Sequence, residues 1–96
     1  MQERRVTISN RLGLHARAAA RLVQCAANFN FQVVIERADN QQTADGKSIL
    51  SVLLLAAAVG STLIIKTDGT DEERAAEAIV QLIENRFGEE VSDGLH

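Results

Sequence analysis

The chain contains no proline, no tryptophan and no tyrosine, and its only aromatic residues are three phenylalanines in 96 residues. Aliphatic side chains and alanine must therefore fill the core. At 46% hydrophobic residues they suffice for one compact domain, and the length leaves no room for a second. A single cysteine, Cys25, excludes an internal disulfide, and its apolar neighbours mark it as a buried structural thiol. A reducing, cytoplasmic setting is expected. No apolar run reaches the roughly 18 residues of a membrane span. The opening Met1-Gln2-Glu3-Arg4-Arg5 leads into a strand-like pattern, not a signal-peptide core, so membrane insertion is not expected. There is no excess of positive charge: the net value is −3. That balance, and strands without an aromatic stacking platform, speak against nucleic acid as a partner. Metal-ligand spacing is absent. Asp45-Gly46-Lys47-Ser48 echoes the end of a phosphate loop, but the earlier glycine is missing, so neither metal nor cofactor is expected.

What is present is a regular alternation of patterns. Val6 and Ile8 alternate with Thr7 and Ser9, a strand over roughly residues 3–9. Ala19, Leu22, Val23, Ala26 and Ala27 recur at helical spacing, giving a helix of about 16–28. Phe31, Val33 and Ile35 mark a second strand, and a short third one is expected around Gln41–Ala44. Ser48 can cap a short apolar helix of roughly 48–55. Thr62 to Thr67 reads as a fourth strand. Thr70-x-x-Glu73 is a capping box for a last helix of about 71–87, with Ala75, Ile79, Leu82 and Ile83 on its inner face. The order β-α-β-β-α-β-α, with half-apolar strands, predicts an α+β fold: an antiparallel sheet with helices on one face and solvent on the other. The domain is expected to span residues 1–88, with 89–96 a polar, mobile C-terminal tail. The acidic pairs Glu72-Glu73 and Glu89-Glu90 read as solvated helix start and tail.

Chemistry concentrates at Leu12-Gly13-Leu14-His15-Ala16-Arg17. No Ser, Thr, Asp or Asn stands immediately before the helix to cap it, so its first backbone N–H groups are expected to be free, at the positive end of the helix dipole. Such an end is a seat for a phosphoryl group. His15 can carry that group covalently, because an imidazole nitrogen is a competent nucleophile. Arg17 supplies positive charge, and Arg21 follows one turn later on the same face. The amides of Ala16, Arg17 and Ala18 are the expected backbone donors. Gly13 permits a close backbone approach.

Asn10-Arg11-Leu12-Gly13-Leu14-His15-Ala16-Arg17-Ala18-Ala19 closely resembles the active-site segment of HPr, the histidine-containing phosphocarrier of the bacterial phosphotransferase system. The resemblance extends to Gly46-Lys47-Ser48-Ile49, to the Gly60–Gly69 strand and to the element order. It implies an open-faced β-sandwich, a four-stranded antiparallel sheet with three helices on one face. It implies that His15 accepts a phosphoryl group through Nδ1 from phospho-enzyme I, itself charged by phosphoenolpyruvate, and passes it to an IIA-type protein. Arg17 would stabilise the group and help dock partners. Such a protein is a stoichiometric phosphotransfer intermediate more than a stand-alone enzyme. The family carries proline where this chain has Ala18. The helix should survive the exchange, with a looser His15 loop and slower transfer. The segment is similar to both the sugar and the nitrogen branch of the family and does not choose between them.

The second helix is apolar nearly all round, which a one-sided sandwich cannot bury completely. Ile49, Leu50 and Leu53 are expected to form an exposed docking patch beside Arg17 and Arg21. In the family, the serine matching Ser48 is phosphorylated in many bacteria by an HPr kinase/phosphorylase. Phosphate there would add roughly −1.5 to −2 charges beside the patch and weaken docking without melting the helix. A regulatory docking module with an impaired His15, working through Ile49, Leu50, Leu53 and Arg17, is the alternative function. A monomer is expected.

Overall fold

The computed structural model describes residues 2–30, 32–68 and 72–89. Its elements are β1 (Gln2–Thr7), α1 (Ala16–Ala26), β2 (Val33–Arg37), β3 (Thr43–Asp45), α2 (Ile49–Leu54), β4 (Thr62–Thr67) and α3 (Glu72–Glu84), followed by a 3-10 turn over Arg86–Gly88. The strands form one antiparallel sheet in the order β1-β4-β2-β3. Three helices cover it, as the α+β open-faced sandwich requires.

Register follows from alternation. Leu63 and Ile65 of β4 are fully buried, with Val6 opposite Leu63 and Ile35 opposite Ile65. These side chains meet Leu22 of α1, Val52 of α2 and Ile79 and Ile83 of α3 in one aliphatic core, completed by Phe87. Burying each large side chain contributes about 1.5–3 kcal/mol. The other sheet face carries charge: Lys66 and Glu36 pair at 2.6 Å across β4 and β2. Lys66 binds its proton more tightly than usual because it donates to Glu36. At the sheet edge Arg4 reaches Glu77 of α3 at 2.6 Å.

Several expected boundaries move, each for a local reason. Beyond Thr7 the ladder gives way to loop bonds, Ile8 N–H to Ser61 C=O and Gly60 N–H to Ile8 C=O, so β1 stops short of residue 9. Helix α1 stops at Ala26, and the amides of Asn28 and Phe29 close tight turns onto Cys25 and Ala26. Gln41 is not in β3: it adopts φ +62 and donates to the Arg37 carbonyl, closing the hairpin turn. Helix α3 ends at Glu84, not 87, because Arg86 and Phe87 take left-handed conformations, φ +58 and +56. Phe31 and the proposed Thr70 cap lie outside the described residues. Among the described residues no helix is long and apolar enough to cross a membrane.

Candidate functional site

Gly13 governs the approach to His15. Its φ is +66, and a Cβ there would lie 2.7 Å from the Ala57 carbonyl oxygen and 2.9 Å from Ala58 Cα. Only glycine allows both this conformation and this contact. The next amide, of Leu14, donates to the same Ala57 carbonyl at 2.9 Å, and the Leu14 side chain is buried. The loop is thus tied to the segment between α2 and β4, and His15 leaves it in an extended conformation, φ −80 and ψ −177.

His15 is itself the N-cap of α1. Its Nδ1 accepts from the Arg17 amide at 3.3 Å, and its carbonyl accepts the first helical bond, from Ala19, at 2.8 Å. This corrects the expectation of an uncapped start: imidazole nitrogen does what a Ser, Asn or Asp oxygen usually does at this position. The geometry brings Nδ1 to the positive end of the helix. The amides of Ala16, Arg17 and Ala18 occupy the first turn, ahead of the hydrogen-bonded ladder.

The opposite ring nitrogen has a partner that sequence reasoning missed. Glu89 Oε2 lies 2.7 Å from His15 Nε2. Its other oxygen, Oε1, accepts at 3.0 Å from Nδ2 of Asn10, which also donates to the Gly13 carbonyl at 2.8 Å. Asn10 is buried. Glu89, taken as the start of a solvated tail, therefore turns back into the site; residues 90–96 lie outside the described residues. The turn that returns it is anchored by buried Phe87 and by Arg21, whose Nη1 donates to the Phe87 carbonyl.

His15 and Glu89 line an open cleft of about 820 Å³ together with Arg11, Arg17, Arg21 and Arg86. Four guanidinium groups around one imidazole give the cleft a positive potential that favours an anionic group. Arg17 is exposed; Arg21 is half-buried and braces the C-terminal turn.

Ser48 caps α2, its Oγ accepting from the Ser51 amide at 3.2 Å. Ser51 Oγ accepts in turn from the Asp45 amide at 3.0 Å. Lys47 Nζ donates to the Phe29 carbonyl, bracing the loop before the helix. Ile49 and Leu50 are exposed, Leu50 at 66%. Leu53 is not part of that surface in full: it is half-buried against the core. Leu54, 63% exposed, takes its place, because a six-residue helix packing through Val52 turns positions 49, 50 and 54 outward. Leu12, on the rim of the cleft, is also exposed. Cys25 is half-buried against the core, and burial pushes its thiol pKa up.

Comparison with known proteins bears on the same segment. The family model described as "PTS HPr component phosphorylation site" matches residues 2–85. The phosphocarrier protein HPr of Cupriavidus necator is 53% identical over 89 residues, covering 93% of this chain and 98% of the relative. That of Pseudomonas aeruginosa is 48% identical over 84 residues, 88% of this chain and 92% of the relative. The crystal structure of HPr from Thermoanaerobacter tengcongensis superposes with a TM-score of 0.88 at 40% identity, covering 95% of this chain and all of that one. These names favour the carrier over the docking-module alternative. With its four-stranded open sheet, its Gly13-Leu14-His15 approach and these relatives, the chain belongs to the HPr family of phosphocarriers, which work with the enzymes of the phosphotransferase system.

Proposed function

We propose that His15 is the residue that carries the phosphoryl group, that phospho-enzyme I donates it and that an IIA-type protein receives it. The observation that carries this reading is the orientation of Nδ1 towards the first-turn amides of α1. The ring is 28% exposed, open to a donor yet held in place. In the transfer, the Nδ1 lone pair forms the N–P bond as the bond from phosphorus to its leaving group on enzyme I breaks. In this reading the amides of Ala16, Arg17 and Ala18 and the Arg17 guanidinium neutralise the three phosphoryl oxygens as charge accumulates on them, the Arg17 amide passing from Nδ1 to a phosphoryl oxygen. Passing the group on reverses the step with a IIA side chain as nucleophile.

The partner-facing surface in this reading is apolar at its centre and basic at its edge. Ile49, Leu50 and Leu54 supply the apolar part, with Leu53 half-buried among them, and Arg17 and Arg21 of the His15 cleft supply the basic edge. Ser48, at the N-terminus of α2, is the regulatory position: a phosphate from an HPr kinase/phosphorylase would be tolerated by the helix end but would bring negative charge beside the apolar patch.

The test is incubation with enzyme I and labelled phosphoenolpyruvate. The native chain takes up acid-labile, base-stable label; His15→Ala takes up none; Ala18→Pro, which stiffens the loop but removes the Ala18 N–H, still takes it up. A native chain without label, or label persisting in His15→Ala, contradicts the reading.

A further inference from the structure

We propose that Glu89 is a positioning residue for His15: it holds the imidazole as the Nε2–H tautomer, keeping Nδ1 unprotonated so that the phosphoryl group has only the long Arg17 amide contact to displace. The inference rests on the phosphocarrier reading for its consequence and on three sets of contacts for its geometry.

First, the two ring nitrogens have complementary partners. The Arg17 amide can only donate, so it favours an Nδ1 without hydrogen, but at 3.3 Å this bond is long and does not hold the tautomer by itself. The hydrogen of a neutral ring then sits on Nε2, where the Glu89 carboxylate, 2.7 Å away, can only accept. The two nitrogens point away from each other, so the carboxylate lies across the ring from the incoming group and does not occupy the first-turn amides.

Second, the carboxylate is itself fixed. Asn10, 2% exposed, donates to Glu89 Oε1 and to the Gly13 carbonyl through the same Nδ2. A buried amide thus ties Glu89 to the very loop that delivers His15.

Third, the chain adopts a strained path to put Glu89 there. Arg86, Phe87 and Gly88 have φ of +58, +56 and +74, two of them non-glycine. Runs of this kind persist where the surroundings over-determine them. Here Phe87 is buried in the core and Arg21 holds its carbonyl.

The consequence for transfer is a step without proton movement. The Nδ1 lone pair becomes the N–P bond, the leaving group keeps its electron pair, and the proton stays on Nε2. The ring, now substituted on both nitrogens, carries a positive charge, which the Glu89 carboxylate meets through a charge-assisted hydrogen bond.

The experiment combines ring-nitrogen NMR at a pH where His15 is neutral with single-turnover transfer from enzyme I, on the native chain, Glu89→Ala and Glu89→Gln. The native ring is expected to show only the Nε2–H pattern. Glu89→Ala shows a mixture of tautomers and transfers about tenfold more slowly, the loss of one hydrogen bond to a charged group. Glu89→Gln, which keeps an acceptor oxygen without the charge, restores the tautomer and part of the rate. An unchanged ring spectrum or an unchanged rate in Glu89→Ala overturns the proposal, as does Glu89→Gln behaving like Glu89→Ala. A native chain that takes no phosphoryl group contradicts the phosphocarrier reading instead, and the ring spectra then decide the role of Glu89 alone.

Discussion

Replacing Gly13 by alanine tests how the site is delivered. The residue sits at φ +66, which costs an alanine about 1–2 kcal/mol. Its new Cβ would stand 2.7 Å from the Ala57 carbonyl oxygen, against an ordinary C···O contact of about 3.3 Å. The obstruction is backbone on both counts, Ala57 and Ala58, so no side chain can swing away. Shifting packed backbone to relieve it adds about 1–3 kcal/mol. The total is about 3 kcal/mol, which for a domain of this size lowers Tm by at least about 12 °C. Urea denaturation followed by circular dichroism measures the first quantity and a thermal scan the second. The shift also pulls Leu14 off the Ala57 carbonyl and moves His15. At a temperature where the variant is folded, phosphotransfer should therefore fall further than stability explains, since a misplacement of about 1 Å costs on the order of a hundredfold. A Gly13→Ala chain within about 0.5 kcal/mol of the native one, the range of neutral surface changes, would refute the argument.

Other expectations follow from single contacts. Ser48→Ala removes the cap of α2 and should destabilise by about 1 kcal/mol in denaturant titrations, whereas Ser48→Asp keeps a capping oxygen, leaves stability nearly native and weakens binding of enzyme I. Cys25, its thiol pushed up by burial, should be alkylated by iodoacetamide far more slowly in the folded chain than in guanidinium. The Arg4 guanidinium, and then the Gln81 amide, hold the Glu77 carboxyl below its usual value. A lowered folded value means the contribution is present above the ordinary carboxylate range and is lost as pH falls through the folded value. Glu77→Gln should thus be the less stable chain at neutral pH, with the small difference disappearing as pH falls through the folded value.

The parts of the fold that alternate cleanly were legible before any coordinates. Strand β4 runs from Thr62 to Thr67 as read, because Leu63 and Ile65 alternate with polar or opposite-face neighbours between two turn signals. The end of α3 was misread for the converse reason. Phe87 continues the apolar spacing of Ile79 and Ile83 and does reach the core, but through a left-handed turn that no local pattern announces. At the site, the Gly13-Leu14-His15-Ala16-Arg17 segment identified the loop, the helix start and the arginine. It did not show that His15 caps its own helix, since histidine is not among the usual capping residues. Glu89 was beyond reach: its contact with His15 spans 74 positions and depends on two non-glycine residues at positive φ. On α2, helical spacing grouped Ile49, Leu50 and Leu53 as the outward face; packing through the buried Val52 instead exposes Leu54 and leaves Leu53 half-buried.

The central claim is that the phosphoryl group rides on Nδ1 of His15, against the first turn of α1, and phosphorus–nitrogen correlation NMR of the enzyme I-phosphorylated chain tests it most directly. The account predicts one phosphorus signal coupled to Nδ1 of His15 with the hydrogen retained on Nε2. Coupling to Nε2, or a phosphorylated residue other than His15, would contradict it.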